Sequence, residues 1–121
     1  MSDATIHGIA NCDTVRKARA WLAAHRVAAR FHDYRKDGVP EASLRAWVAA
    51  QGWPALLNRS GTTFRNLPDG ERQELDDEMA VALMLRHPAA IRRPVLVAGD
   101  AVLVGFSPAA WKAALDGWIT R

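Results

Sequence analysis

The first third of the chain alternates between strand-like and helix-like patterns of apolar residues. Residues 5–9 form a short, partly β-branched run that is followed by Asn, Asp and Thr, the residue types that cap a helix start. From Val15 the apolar positions recur at helical spacing, and the predicted helix ends near His25-Arg26. Residues 29–35 alternate around two aromatic side chains, which predicts a second strand.

The middle of the chain is predicted to be largely helical. Residues 36–39 form a turn, and Pro40-Glu41 then begins a helix that Gly52-Trp53-Pro54 stops. Residues 55–68 show no clear pattern. Residues 69–86 are predicted as a single helix with an apolar face of Leu75, Met79, Ala82 and Leu83.

Patterns in the last third predict a hairpin and a closing helix. Two apolar runs, residues 95–97 and 102–104, flank Gly99-Asp100, which is typical of a hairpin turn. Ser107-Pro108 is an N-cap followed by proline at the first helical position. The apolar face of this helix is predicted to be Ala110, Trp111, Ala114, Leu115 and Trp118. The five tryptophans of the chain are expected mostly in the core.

Together these elements give the order β-α-β-α, a helical insert, then β-β-α. A strand–helix–strand start followed by a hairpin and a helix predicts an α/β fold with a mixed four-stranded sheet flanked by helices on both faces. This is the thioredoxin-like order, with the helical insert of roughly residues 40–90 between the βαβ and ββα halves. No repeat or linker interrupts the chain, so residues 1–121 are predicted to form a single domain.

Composition narrows the class of protein. The chain is 50% hydrophobic and 24% charged, which is the balance of a globular protein rather than a disordered one. The net charge of +3 comes without a run of basic residues, so direct nucleic-acid binding is not expected. The longest apolar stretch, residues 94–106, is too short to span a bilayer, and no signal peptide is recognisable. We therefore expect a cytoplasmic protein without membrane contact.

The single cysteine, Cys12, is the main candidate for chemistry. One cysteine excludes an intrachain disulfide and a cysteine-based metal site, and it suits a reducing compartment. At the first turn of the predicted helix its sulfur would face unpaired N–H groups and the positive end of the helix dipole. Arg16 and Lys17 would favour the thiolate, and Asp13 would oppose it. A lone cysteine is often only a small buried hydrophobic residue, but the placement between strand and helix favours the reactive alternative.

Spacing around Cys12 excludes several thiol chemistries. A Cys-x-x-Cys redox pair would need a second cysteine where Val15 stands, and a phosphatase-type loop would need arginine where Ala18 stands. A Cys–His hydrolase stays open, because the chain has four histidines that could approach Cys12 in space: His7, His25, His32 and His87. No pair of these histidines has metal-ligand spacing, so no metal site is expected.

Arg93-Pro94 is the second candidate. Proline at the start of a strand fits an edge or a cis peptide bond, and Arg93 would lie beside the Cys12 loop if both occupy one end of the sheet. There its planar guanidinium could hold an oxyanion or a carboxylate; the alternative is a solvated basic pair, Arg92-Arg93. Arg59 raises the same question with a weaker signal, and the residues around it lack the ending of a phosphate-binding loop.

Four ordered segments resemble a known family. Residues 8–18, 33–38, 56–63 and 91–96 look like the signature segments of the ArsC-like arsenate reductase family, in its Spx/YffB branch. The first of them resembles the active-site segment, and the similarity covers nearly the whole chain. The family implies a thioredoxin-like fold with a helical insert, which agrees with the element order above.

The resemblance also implies roles for individual residues. Cys12 is expected to be the nucleophile, and Arg93, before a cis proline, an oxyanion-binding arginine. The residues expected to bind substrate or glutathione are Arg93, Arg59, Asn11, Thr14 and Pro94. The third arginine of the family is replaced here by Phe106, which argues against arsenate itself as the substrate.

The function that these residues imply is a thiol-dependent oxidoreductase with one nucleophilic cysteine. The resemblance adds glutathione as co-substrate and glutaredoxin as a partner. An external thiol is needed because the chain has no second cysteine to resolve an adduct. No bound cofactor is expected. A small-molecule or protein disulfide is the expected substrate. The alternative is a non-catalytic, Spx-like protein that binds the RNA polymerase α subunit, although Val15 removes the Cys-x-x-Cys pair that those regulators usually carry.

Overall fold

The computed structural model describes residues 4–119. The chain forms two compact units: the first takes in the chain up to Asp37 and again from Arg93, and the second is Gly38–Arg92. In chain order the elements are β1 Ala4–Gly8, α1 Asp13–Ala24, β2 Arg30–Asp33, α2 Tyr34–Asp37, α3 Glu41–Gln51, α4 Trp53–Leu56, α5 Thr62–Arg65, α6 Asp69–Arg72, α7 Asp77–Arg86, a 3-10 turn Pro88–Ala90, β3 Val95–Ala98, β4 Ala101–Val104 and α8 Pro108–Ala114. The expected insert of roughly residues 40–90 corresponds in position to the second unit, and a single domain over residues 1–121 stays a prediction.

A mixed four-stranded sheet forms the centre of the first unit. Its strand order is β2-β1-β3-β4, with β1 parallel to β2 and antiparallel to β3, and with β3 antiparallel to β4. The hairpin between β3 and β4 turns at Gly99, whose φ of 59° costs glycine little. The α/β fold with a mixed, thioredoxin-like sheet is therefore confirmed.

One face of this sheet carries a hydrophobic core that α1 and α8 cover. Its buried members are Ala4 and Ile6 of β1, Ala18 and Leu22 of α1, Val27, Leu96 and Ala98 of β3, and Trp111 and Leu115. Ser107 caps α8 as predicted, since its Oγ accepts a hydrogen bond from the N–H of Ala110 at 3.3 Å. The predicted burial of Ala110 and Ala114 is wrong, because the short α8 turns only the stripe of Trp111 and Leu115 into the core. Among the tryptophans, Trp47 is buried like Trp111, and the remaining three are half-buried.

The second strand is shorter than predicted. It ends at Asp33, and Tyr34–Asp37 form the short helix α2 instead of continuing the strand. Asp33 Oδ1 accepts a hydrogen bond from the N–H of Arg35 at 2.9 Å, and Asp37 Oδ2 accepts one from the N–H of Asp33 at 3.3 Å. Short acidic side chains that bind nearby N–H groups favour a turn over an extended strand. Tyr34 therefore lies just beyond the carboxyl end of β2.

The predicted helix over residues 69–86 is interrupted. Glu74 has a φ of 52°, and Asp76 begins α7 as an N-cap, since its Oδ1 accepts a hydrogen bond from the N–H of Met79 at 2.8 Å. The buried residues of α7 are Ala80, Val81, Leu83 and Met84. The predicted apolar face is wrong at Met79, which is 42% exposed, and at Ala82, which is also exposed. Because α7 begins at the Asp76 N-cap, it is not a continuation of the predicted longer helix. The start of α7 therefore decides which of its side chains face the core.

The segment without a clear pattern, residues 55–68, contains two short helical turns, α4 and α5. Between them Leu57 pairs with Ile91 in an isolated antiparallel bridge, and both side chains are buried. Arg92 extends this contact, because its N–H donates to Leu56 O at 2.7 Å. Across residues 4–119, no helix is both long and apolar enough to cross a membrane.

Candidate active site at Cys12

A close approach of strand and helix places Cys12 at the carboxyl end of β1. A Cβ atom on Gly8 would lie 2.8 Å from Val15 Cγ2, and Val15 is fully buried in the first turn of α1. Glycine is therefore required where the end of β1 meets this turn. Cys12 is the N-cap of α1, with φ −143° and ψ 122°, and its carbonyl accepts the first helical hydrogen bond, from the N–H of Arg16 at 2.9 Å.

Cys12 is half-buried, and the groups around its sulfur favour the thiolate over the thiol. Burial raises the pKa of the Cys12 thiol, but the N–H of Val15, the hydrogen bond and charge of Arg93, and the N–H of Thr14 together lower it by more. The net pKa lies below the usual range of a cysteine. Helix-start N–H groups and a neighbouring cation are the two features that activate cysteines. This environment differs from that of an inert cysteine in a hydrophobic core.

Sheet register brings Arg93 to Cys12. Because β3 runs antiparallel to β1, with His7 opposite Val95, the residue pair before β3 lies at the end of the sheet from which the Cys12 segment leaves. The Arg93–Pro94 peptide bond is cis, as predicted. Pro94 is buried, and its carbonyl accepts a hydrogen bond from the N–H of Gly105 at 2.8 Å. The strand entrance that carries Arg93 is thus tied to the far end of the hairpin.

Asp13 and Arg16 pair with each other on the first turn of α1. They form an exposed ion pair at i, i+3. Among the described residues, the groups that lower the pKa of Cys12 are the N–H groups of Val15 and Thr14 and the side chain of Arg93. Arg16 and Lys17, which were predicted to favour the thiolate, are not among them. Asn11 and Thr14 are exposed on either side of Cys12, and Thr14 acts through its backbone N–H.

Arg59 belongs to the second unit. Its side chain is exposed there, and its guanidinium lies 5.3 Å from the ring centroid of Trp53. This is cation–π geometry. Its predicted role in binding substrate or glutathione stays a prediction.

Phe106 packs with tryptophans. Its ring meets Trp111 edge-on at 4.9 Å between centroids and Trp21 at 6.2 Å. The indole N–H of Trp111 donates to Gly105 O at 3.0 Å, which fixes the backbone directly before Phe106. Phe106, which the resemblance places where the family carries a third arginine, is partly buried and packs against the core that α1 and α8 cover.

Three aromatic side chains form a cluster in the first unit: His7, His32 and Tyr34. The sequence pointed to the two histidines only among four that could approach Cys12, and it did not single out Tyr34. The ring centroids of the cluster lie 5.2–6.4 Å apart in all three pairings. His7 Nδ1 donates to Val95 O at 3.0 Å, and burial lowers the pKa of His7 although this hydrogen bond opposes the shift. The sequence offered one signal for Tyr34: it follows β2 as the Cys12 segment follows β1, and residues that follow parallel strands lie at the same end of the sheet.

The structure gives no support to a Cys–His pair. No histidine is among the groups that set the pKa of Cys12, and His25 donates through Nδ1 to Trp21 O, at 2.9 Å, at the far end of α1. Within residues 4–119, no three His, Cys, Asp or Glu side chains are close enough together to hold a metal ion.

Comparisons with known proteins agree with this arrangement. The model of the ArsC family matches residues 7–114. An uncharacterised protein of Haemophilus influenzae is 38% identical over 110 residues, which are 91% of this chain and 96% of that protein. A solved structure named YFFB (PA3664) protein is 49% identical, has a TM-score of 0.90, and covers 93% of this chain and 98% of its own.

More distant relatives carry functional names. An arsenate reductase of Rhizobium meliloti is 32% identical over 96 residues, which are 78% of this chain and 68% of that protein. A global transcriptional regulator Spx of Streptococcus pyogenes is 25% identical over 99 residues, which are 80% of this chain and 73% of that protein.

Proposed function

This chain belongs to the ArsC family, and on that premise we propose that it is a monothiol oxidoreductase with Cys12 as the nucleophile and glutathione as the co-substrate. The observation that carries the proposal is the position of Cys12 at the N-cap of α1, with Arg93 at the same end of the sheet. There the N–H groups of Val15 and Thr14 and the guanidinium of Arg93 lower the pKa of the thiol. These groups stabilise the thiolate, which is the attacking form in thiol–disulfide exchange.

The reaction has two exchange steps. The Cys12 thiolate attacks one sulfur of a disulfide, a bond forms between the two sulfurs, and the other sulfur leaves as a thiolate. Because the chain has no second cysteine, glutathione thiolate then attacks the mixed disulfide, joins the substrate sulfur and releases the Cys12 thiolate. The product is a mixed disulfide of substrate and glutathione, and glutaredoxin is the proposed partner that reduces it with a second glutathione. The cytoplasm is the proposed compartment because it supplies reduced glutathione.

Arg93 is proposed to hold the negative group of substrate or glutathione beside the sulfur. A planar guanidinium pairs with carboxylates and oxyanions in a fixed geometry. Asn11, Thr14 and Pro94 share the sheet end at which Cys12 and Arg93 meet, and they complete the proposed binding set. A binding role for Arg59, which belongs to the second unit, stays a prediction. Arsenate is the less supported substrate, because Phe106 is packed on Trp111 in place of an arginine.

The test is thiol transfer from glutathione to bis(2-hydroxyethyl) disulfide, followed through glutathione reductase. The wild-type protein is expected to turn over and Cys12→Ser to be inactive, because the serine hydroxyl stays protonated and cannot attack sulfur. Thermal unfolding of both proteins controls for folding, and arsenate replaces the disulfide in a parallel assay. An active Cys12→Ser protein, or an inactive wild type with both substrates, would contradict the proposal.

A binding function without chemistry is the second candidate, favoured by the similarity to Spx. In that case the chain would bind the RNA polymerase α subunit, and Cys12 would be dispensable. A pull-down with the α C-terminal domain decides the matter: retention by wild type and Cys12→Ser alike supports binding, and no retention removes the candidate.

A further inference from the structure

The hydroxyl of Tyr34 is a buried polar group that the fold itself does not satisfy. The side chain is 3% exposed, and among the described residues its hydroxyl makes no hydrogen bond to a protein group. Buried hydroxyls in folded proteins nearly always have a partner, because burying one without a hydrogen bond is costly. Such a group suggests a partner that comes from outside the chain.

Sheet topology places this hydroxyl at the Cys12 end of the first unit. In the parallel pair of β1 and β2, Gly8 lies opposite Asp33, so Tyr34 extends beyond the last pair just as the Cys12 segment does. The ring of Tyr34 stacks on His7 at 6.4 Å, and His7 is hydrogen-bonded to Val95, next to the Arg93–Pro94 peptide. The strand register and the stacking on His7 thus both place Tyr34 at the end of the sheet that carries Cys12 and Arg93.

Packing holds the ring in one position. His7 and His32 are partners in the register of β1 and β2, and both rings contact Tyr34. The hydrogen bond from the N–H of Arg35 to Asp33 fixes the turn that presents Tyr34. A ring held on two sides directs its hydroxyl without further side-chain ordering when a ligand arrives.

The hydroxyl is available as a donor rather than as a negative acceptor. Burial raises the pKa of Tyr34 well above its usual range, although the charge of Arg93 acts in the opposite direction. The phenol therefore keeps its proton at neutral pH. The charge of Arg93 acts on both the Tyr34 hydroxyl and the Cys12 sulfur, in keeping with the shared sheet end that the register gives them.

We propose that the Tyr34 hydroxyl is a second donor of the Cys12 site, which together with Arg93 binds a negatively charged oxygen of the substrate, either a carboxylate or an oxyanion. This inference rests on the proposed function, since it assigns the class of ligand that brings sulfur to Cys12. A hydrogen bond from a neutral donor to an ionised acceptor is stronger than one between neutral groups. The site would accordingly favour acidic substrates over neutral ones.

Protection of Cys12 from iodoacetamide measures this binding. Two unreactive probes are used: sodium sulfate as a free oxyanion and S-methylglutathione as a peptide carboxylate. For each protein the alkylation rate with probe is divided by the rate without it, so that a change in thiol reactivity cancels. Tyr34→Phe keeps the ring and removes only the hydroxyl, and it is expected to need about tenfold more probe for equal protection. Arg93→Ala is expected to abolish protection, and Arg92→Ala, which removes the same charge one residue away, to retain it.

The experiments with sulfate and with S-methylglutathione distinguish a free oxyanion from a peptide carboxylate as the ligand. Weaker protection of Tyr34→Phe by sulfate assigns a free oxyanion, and weaker protection by S-methylglutathione alone assigns a carboxylate. Equal protection of Tyr34→Phe and wild type by both probes, or no protection of wild type by either, overturns the inference. Failure of the proposed function would appear elsewhere, as an inactive wild type in the thiol-transfer assay.

A measurement on the wild-type protein guards against a misfolded variant. Tyr34 is the only tyrosine in the chain, so a ¹³C-labelled tyrosine gives one set of ring resonances. Addition of the protecting probe is expected to shift the resonance of the carbon that bears the hydroxyl. An unchanged resonance at a concentration that protects Cys12 overturns the inference.

Discussion

Arg93 lowers the pKa of the Cys12 thiol, although 80 residues lie between the two in the sequence. Antiparallel pairing of β1 with β3 produces this relationship, since His7 lies opposite Val95 and each site residue follows or precedes its strand by a few positions. The strand pairing that builds the core therefore also supplies the cation that activates the thiol.

The pH dependence of alkylation tests this relationship directly. The rate for Cys12 should rise with a midpoint below that of a free cysteine measured under the same conditions, because the thiolate is stabilised. Arg93→Ala should move the midpoint upward. Arg92, whose Nε donates to Ala55 O, supplies the matched control, and Arg92→Ala should leave the midpoint in place. Equal midpoints for wild type and Arg93→Ala would remove Arg93 from the site.

Gly8→Ala should disturb both stability and thiol reactivity. The new Cβ would lie 2.8 Å from a methyl group of Val15, so β1 and the first turn of α1 must move apart. Overpacking of this kind costs about 1–3 kcal/mol, measurable by urea unfolding. The movement also displaces the Val15 N–H from the sulfur, so the alkylation midpoint should rise. Gly70→Ala, where nothing lies within 4 Å of an added Cβ, is the matched control; a Gly8→Ala protein with wild-type stability and midpoint would contradict the packing argument.

Burial of His7 predicts a loss of stability in acid. Burial lowers the pKa of His7 below 6.5, and the nearby charge of His32 acts in the same direction. The unfolded chain therefore takes up a proton first as the pH falls, so this contribution to stability is complete above about pH 6.5 and is lost below it. Urea unfolding at about pH 7.5 and about pH 5 measures the slope. His7→Phe should be less stable at neutral pH and should lose less stability on acidification; an unchanged pH dependence would contradict this assignment.

Phe106→Arg should not restore a family-type set of three arginines. The side chain packs against Trp111 and Trp21, so an arginine there loses aromatic contacts and places a charge beside two indoles, at a cost of about 1–3 kcal/mol. Phe106→Leu keeps an apolar contact and should cost less. Arsenate turnover, measured with glutathione and glutaredoxin, should be no higher in Phe106→Arg than in the wild type. Higher turnover in that variant would show that position 106 can reach the sulfur.

Local chemistry was sufficient to predict most elements from the sequence. Ser107-Pro108 and Gly99-Asp100 predicted the start of α8 and the hairpin turn, because capping and turn residues act on neighbouring N–H groups and on their own φ angles. The same reasoning placed Cys12 at the start of a helix. It failed for residues 69–86, where Glu74 and Asp76 interrupt a continuous apolar pattern.

The sequence by itself determined the order of strands and helices and the position of the single thiol at a helix start, since both depend on residues close together in the chain. Only the tertiary structure decided that Arg93, and not Arg16 or Lys17, acts on Cys12, and that the Tyr34 hydroxyl is buried without a partner in the described chain. Strand register decides both results. It joins residues far apart in sequence, so the sequence predicted Arg93 beside Cys12 only on the condition that both occupy one end of the sheet, and it did not single out Tyr34.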